Sequence, residues 1–520
     1  MECLFDRLKE NGESDIYPLH MPGHKRRECG RLPEEMYLKD ITEIDGFDNL
    51  HQPEGILLAL EKKAAQLYGA DESFYLINGS TGGILSAISA VLPAGGHILM
   101  SRNCHKSAYH GAYLRNLTIS YLYPGVLEEY DIFDAVTPDQ IRTALEKEPD
   151  IGAVLIVSPT YEGRISDIRG IAEVVHEKGI PLIVDEAHGA HLGWMEGIAE
   201  NSCLAGADLV IHSVHKTLPA LTQTALLHVN GSLVDREQLR RFLHIYQSSS
   251  PSYLLMASID NALNYVSGER GHLFAEFLEN WNNMLNNLSV CRHLRFLTGA
   301  CDVQDVGKLV ISVKYSNVSG RWLYDTLLNR YHLQPEMAAE TYVLAMFTVN
   351  DAKEGYERLT QALLEIDSLL AGKSVRSQME KMDAPKADGQ ALPLARAWDM
   401  ESSLIKLSES EGRYAGEFVN LYPPGVPVLV PGEHITKEIC ESIRRWLSQG
   451  LTVQGVDIQE KEPFIKVLRY AQDEWDLGGE NNERGKIYEK NKDYLYNRTL
   501  QRQCRTFEGV DAGRNECGTI

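Results

Sequence analysis

Ala207-Asp-Leu-Val-Ile-His-Ser-Val-His-Lys-Thr-Leu218 decides how the rest of this chain of 520 residues is read. The apolar run from Ala207 to Ile211 predicts a buried strand, which gives way at once to a polar cluster, Ser213-Val-His215-Lys216-Thr217. A lysine just past a buried strand, between a histidine and a threonine, sits where its amine can be desolvated and lose its proton, which is what an amine needs in order to form an imine with a carbonyl compound. Alone the string says little, because a lysine after a strand is usually a solvated loop residue.

Its weight comes from the residues before it. Pro181-Leu-Ile-Val-Asp185-Glu-Ala187-His188-Gly189 is another apolar run that ends in an acid and a histidine. An aspartate at the C-terminal end of a parallel strand is placed to pair with a protonated pyridine nitrogen, although by itself it reads as a helix cap. Earlier still, the strand Ser73–Ile77 runs into Asn78-Gly79-Ser80-Thr81-Gly-Gly83, which opens a helix to Val91. A glycine-rich strand-to-helix turn offers free N–H groups and a positive dipole end to a phosphate, and Ser80 and Thr81 add hydroxyl donors; both also suit ordinary capping. The strand His97–Ser101 leads to His105, and Ala153–Val157 leads to Thr160. Strands alternating with helices predict a mostly parallel α/β sheet, with Ser80, His105, Thr160, Asp185 and Lys216 at its C-terminal edge.

Asp185-X-Ala187-His188 followed by Ser213-X-His215-Lys216 resembles the fold-type-I pyridoxal phosphate enzymes and, within them, the ornithine/lysine/arginine decarboxylase family. His20-Met-Pro-Gly-His24-Lys25, Asp40-Ile-Thr-Glu43, Asp48-Asn-Leu-His51, Asn78-Gly-Ser80-Thr81, Tyr422-Pro-Pro-Gly-Val-Pro427 and Pro431-Gly-Glu433 carry the resemblance from roughly residue 15 to residue 470. It implies a fold-type-I large domain, a mostly parallel sheet flanked by helices, with a smaller C-terminal α/β domain. It also implies that Lys216 carries pyridoxal phosphate, that Asp185 meets the ring nitrogen and that His105 lies on the ring face. Gly79, Ser80, Thr81, Ser213 and His215 would lie near the phosphate or the imine, and Ala187 beside the ring. His188 would orient Asp185 or the ring oxygen. The implied reaction is α-decarboxylation of a basic amino acid. Arginine, giving agmatine, comes first from the resemblance to short bacterial members of the polyamine pathway, with lysine and ornithine as alternatives. An aminotransferase or lyase of the same fold type, or a non-catalytic pyridoxal-binding protein, would share Lys216 and Asp185. Members complete each site with a neighbour's loop, so a homodimer or higher homo-oligomer is expected, with Ser249 or Ser250 reaching a neighbour's phosphate.

The expected divisions are an N-terminal arm over 1–55, the large domain over 56–300 and the small domain over 301–372 and 394–470. A linker over 373–393 and a poorly ordered tail over 471–520 complete the chain. The arm is irregular, rich in glycine, proline, histidine and acids, and the resembled family holds it near the site mouth. His24, Glu43, Asp45 and Asp48, with Glu433 further on, are therefore candidates, the acids as partners of a cationic side chain.

Net charge is −22, from 51 basic and 73 acidic residues, which argues against nucleic acid or an anionic membrane and is compatible with a cationic substrate. The acids in Met1-Glu-Cys-Leu-Phe-Asp-Arg-Leu-Lys-Glu10 do not suit a secretory signal, and no later run approaches a membrane-spanning length. A cytoplasmic enzyme is expected. Nine cysteines without Cys-X-X-Cys pairs fit free thiols, no zinc-type spacing is seen, and Cys104 beside His105 reads as incidental. With motifs that begin near residue 20, the receiver-like domain of longer members is expected to be absent.

Overall fold

Seven strands form the main sheet in the order Glu72–Leu76, Ala225–Val229, Leu209–His212, Leu182–Asp185, Ala153–Val157, His97–Ser101 and Thr118–Leu122. The last five pair in parallel, whereas Ala225–Val229 runs antiparallel to both of its neighbours. The structure is a computed structural model describing residues 3–14, 17–22, 24–27, 33–371, 392–422 and 425–469. The expected linker, except its last two residues, and the expected tail lie outside the described residues, as do Pro423 and Pro424 of the proline-rich turn.

Leu182–Asp185, Leu209–His212 and Ala225–Val229 are buried along their whole length. Unbroken Val, Ile and Leu runs have no solvent face to offer, so helices must cover both sides of the sheet. One of them, Gly79–Val91, approaches so closely that a Cβ on Gly83 would sit 2.6 Å from Leu76 Cδ1 and 3.2 Å from Ile211 Cγ2. Local signals set three other helix starts. Thr137 and Gln140 form a capping box, Asp167 accepts from the Gly170 N–H, and Asp235 accepts from Glu237 and Gln238.

Helix Tyr253–Leu288, 36 residues long, begins at the Ser252 cap and buries Met256, Ile259, Leu263 and Phe274. Its Asp260 accepts from the Leu4 N–H (3.1 Å), which pins the first helix, Leu4–Glu13, against it. Beyond it, the sheets are antiparallel. Arg295–Phe296, Lys308–Ser312, Tyr342–Met346 and Met337–Ala338 form one of four strands, and two sheets of three strands follow between Ser402 and Leu468. Leu394, Phe418 and Val430 from this part join Met100 and Leu155 of the main sheet in a single apolar cluster. Among the described residues no helix is long and apolar enough to cross a membrane.

Candidate active site

The five parallel strands and Glu72–Leu76 end at one edge, and the residues just past those ends line a cavity of about 510 Å³ together with Glu336, Tyr342 and Tyr422. Lys216 lies there on a single helical turn, Val214–Thr217, directly after the strand Leu209–His212. Its amine is 3.1 Å from His188 Nε2. Burial lowers the lysine below its ordinary pKa, and the nearby carboxylates of Asp185 and Glu336 oppose that only in part.

Asp185 ends its strand, is buried, and accepts from the Ala187 N–H at 3.2 Å. Burial raises its carboxyl above the usual range against the pull of Lys216, so a cationic N–H donor brought into the cavity would be strongly bound. His105 caps helix Lys106–Leu114, with Nδ1 2.9 Å from Ser107 Oγ. Burial pushes it down to about 4, so it is a neutral aromatic plate facing the cavity at ordinary pH.

Opposite, Gly79 takes a left-handed φ of +70°, and the N-cap residue Asn78 spends its side chain on the Tyr246 carbonyl (2.9 Å). The opening turn of helix Gly79–Val91 therefore has no side-chain cap, and Ser80 and Thr81 line the cavity beside it. Ser213 Oγ is buried and has no hydrogen-bond partner among the described residues. His215 donates from Nδ1 to the Thr224 carbonyl (2.8 Å), which leaves Nε2 as an acceptor. Uncapped N–H groups, two hydroxyls and an orphaned serine match the acceptor oxygens of a phosphate, while His105 and Asp185 match a flat, protonated ring.

A family model, "Orn/Lys/Arg decarboxylase, major domain", matches residues 3–345, and its C-terminal domain matches residues 375–450. The chain belongs to this family. It is 32% identical over 465 residues to a protein named arginine decarboxylase from Bacillus subtilis, covering 87% of this chain and 95% of that protein. A protein of the same name from Bacillus anthracis is 30% identical, with 90% and 97% covered. Among solved structures, lysine decarboxylase A from Pseudomonas aeruginosa superposes with a TM-score of 0.76 at 19% identity, over 90% of this chain and 80% of that one, a likeness of fold.

In this family member the arm's acids lie elsewhere than the sequence led us to expect. Asp48 accepts from the N–H groups of Glu54 (2.9 Å), Gly55 (2.8 Å) and Leu57 (3.0 Å), so it serves the start of helix Ile56–Tyr68. Neither Glu43 nor Asp45 lines the cavity, and His24 pairs with Asp40 at 3.2 Å. Glu433 is buried against Arg102 (2.9 Å) and the Val430 N–H (2.8 Å), where an internal guanidinium takes the place of a substrate's. Thr160 turns its hydroxyl to the Arg164 N–H (3.1 Å). Burial drives the Cys104 thiol well above its ordinary value, which removes it as a nucleophile.

Among the described residues His188 is not hydrogen-bonded to Asp185, one of the two partners expected of it. Its ring is held between two amines, with Nδ1 2.7 Å from Lys308 Nζ. Lys308 escaped the reading of the sequence, although a charged residue opening the apolar run Lys308-Leu-Val-Ile-Ser312 was a usable sign. Besides Asp185, the cavity's acids are Asp131, Glu162, Glu336 and Glu340. Lys314 pairs with Asp131 (2.6 Å) and Arg445 with Glu340 (3.0 Å), while Glu162 accepts from the Tyr342 hydroxyl (2.7 Å). Glu336 accepts from the Tyr161 phenol (2.5 Å), and among the described residues no basic side chain is hydrogen-bonded to it.

Proposed function

We propose that the chain is a pyridoxal phosphate-dependent α-decarboxylase of a basic amino acid, with L-arginine preferred and agmatine and carbon dioxide as products. The observation that carries this reading is one cavity holding both the desolvated Lys216 amine and Glu336, a carboxylate whose side-chain partner is a neutral phenol. When bound, pyridoxal phosphate supplies the electron-accepting ring that takes up the electron pair left as carbon dioxide departs.

The protein's own groups do the rest. Lys216 is the amine through which the group would be held, Asp185 keeps a proton on the ring nitrogen, and neutral His105 covers one face and keeps water from it. Ser80, Thr81 and Ser213, with the opening turn at Gly79, hold the phosphate, and Nε2 of His215 accepts a proton beside it. Glu336 receives the substrate's cationic end, and a planar guanidinium can offer two parallel N–H donors to one carboxylate. The Bacillus relatives named for arginine favour it over lysine and ornithine.

The reading includes at least a homodimer. Ser249 and Ser250 are exposed and do not line the cavity of their own chain, so any phosphate they meet belongs to a neighbour. Scattered free thiols support a cytoplasmic location.

Purified protein should absorb in the visible, and borohydride should fix the cofactor to Lys216 on peptide mapping. Incubation with arginine, lysine and ornithine should release carbon dioxide and chiefly agmatine. Keto acid without gas would mark an aminotransferase, dominant cadaverine or putrescine would overturn the choice of arginine, and an adduct on another lysine would overturn the site.

A further inference from the structure

Two amines face one imidazole. His188, 6% exposed, has Nε2 3.1 Å from Lys216 Nζ and Nδ1 2.7 Å from Nζ of Lys308, itself 2% exposed. Tyr161 closes the group, meeting the imidazole edge-on at 4.8 Å between centroids and lying 5.7 Å from Lys308 Nζ. Of the charged and titratable groups around it, Asp305 holds His191 through Oδ1 (2.8 Å) while its Oδ2 has no hydrogen-bond partner among the described residues, Asp185 accepts from the Ala187 N–H, Glu162 from Tyr342 and Glu336 from Tyr161. Lys308 itself is hydrogen-bonded to His188 and to the Met346 sulfur (3.4 Å), with no acid among its bonded partners in the described residues.

Counting protons limits what these contacts can be. A neutral imidazole has one N–H and one lone pair, and an ammonium has donors only. Burial, reinforced by the two amines, holds His188 well below the ordinary histidine value, so it is neutral. Both contacts are then hydrogen bonds only when the lysine facing the ring N–H is a free amine that receives from it, while the lysine facing the bare ring nitrogen gives to it as an ammonium or as an amine. The two lysines therefore hold at most one extra proton where two solvated lysines would hold two.

We infer that Lys308 is the proton store for Lys216 and that His188 is the bridge the proton crosses, an inference that rests on Lys216 being the reacting amine. As Lys216 is deprotonated, its Nζ–H bond breaks and an Nε2–H bond forms on His188, while the Nδ1–H bond breaks and an Nζ–H bond forms on Lys308. The reverse shift returns the proton. One positive charge moves from amine to amine, the imidazole ends neutral with its tautomer exchanged, and no further reactant is consumed. Burial pushes Lys308 down to about 8 against the raising influence of Asp305, so it can take up and release a proton near neutral pH. Acting through His188, Lys308 is a positioning residue.

The test compares wild-type holoenzyme with Lys308→Met and Lys308→Arg. It reads cofactor content, the pH at which the bound cofactor's visible absorbance changes, and kcat against pH with arginine. Methionine removes the store at similar volume, whereas arginine keeps a buried cation and donor that does not release its proton in this range. Both variants should keep cofactor and lose roughly 100-fold in kcat, with KM changed by less than about threefold. The absorbance change should move by about one pH unit or more. Wild-type kcat and an unmoved absorbance titration in Lys308→Arg would show that fixed charge suffices and would overturn the relay, as would an unmoved profile in Lys308→Met. Loss of fold or cofactor in both would make Lys308 a structural group and also overturn it. Wild-type protein that holds cofactor but leaves arginine, lysine and ornithine intact would sink the function reading instead, and the absorbance titration would still decide the role of Lys308.

Discussion

The two walls of the cavity are built on different principles. On one, parallel strands stop at a common edge, so residues far apart in sequence, Ser80, His105, Asp185 and Lys216, are gathered by topology alone. On the other, an antiparallel sheet contributes Glu336 from just before one strand and, behind the lining and against His188, Lys308 from the first position of another. The first wall has the groups that suit a ring, a phosphate and an imine. The second has Glu336, the carboxylate proposed to receive the substrate's side chain, and the amine beside His188. On that proposal, reaction type and substrate choice sit on separate elements, which can be perturbed separately.

Breaking the first wall should have the largest effect. Lys216→Ala should lose roughly 10⁴-fold or more in turnover while remaining folded, because no other residue supplies the imine nitrogen; steady-state rates beside a circular dichroism spectrum check this, and activity within tenfold of wild type would refute it. Asp185→Asn should retain cofactor but lose about 10²- to 10³-fold in kcat, since an amide cannot hold the ring proton. Near-normal turnover in that variant would mean that the ring is seated elsewhere.

Glu433 separates a structural acid from a recognition acid. Glu433→Ala leaves Arg102 buried without its carboxylate and should cost about 3 kcal/mol, read from urea midpoints, with KM for arginine little changed. Glu336→Gln should do the opposite. KM for arginine should rise about 10- to 30-fold, or ~1.4–2 kcal/mol, with stability near wild type. If the Glu433 variant raised KM and the Glu336 variant did not, the assignment of the two walls would have to be exchanged.

The smallest effect lies outside both walls. Burial would raise the Asp48 carboxyl, but its backbone N–H bonds outweigh that and hold it below the ordinary value. A carboxyl whose folded pKa is lowered adds stability that is fully present above its unfolded value and disappears as pH falls through the folded one. Asp48→Asn should therefore cost about 1 kcal/mol at pH 7, and its melting curve should converge with that of wild type in acid. A gap that stayed constant with pH would show that the charge is irrelevant.

The sequence made the first wall legible because each of its residues follows an apolar run and sits in a short ordered motif. The order of those motifs survives folding, since a parallel sheet brings every such position to the same edge. Lys308 and Glu336 lack that advantage. In an antiparallel sheet successive strand ends point in opposite directions, so a position next to a strand does not say which end of the sheet it joins. The acids of the arm misled for a related reason. A carboxylate a few residues before a helix is equally suited to a substrate and to free N–H groups, and for Asp48 the nearby N–H groups won. Glu433 was misplaced because its partner, Arg102, lies 331 residues away in the chain.

The contact between Arg102 and Glu433 bears on how the protein can be divided. The guanidinium, at the end of a main-sheet strand, donates to the carbonyls of Pro427 (2.6 Å) and Val428 (3.3 Å) as well as to Glu433. All three acceptors lie beyond residue 345, where the major-domain match stops. A gene cut there would encode seven intact strands together with a stranded cation and a bare apolar face where Leu394, Phe418 and Val430 had packed. The two stretches are therefore one heritable unit, and a chimera made between relatives has to carry the acid in the same exchange as the arginine.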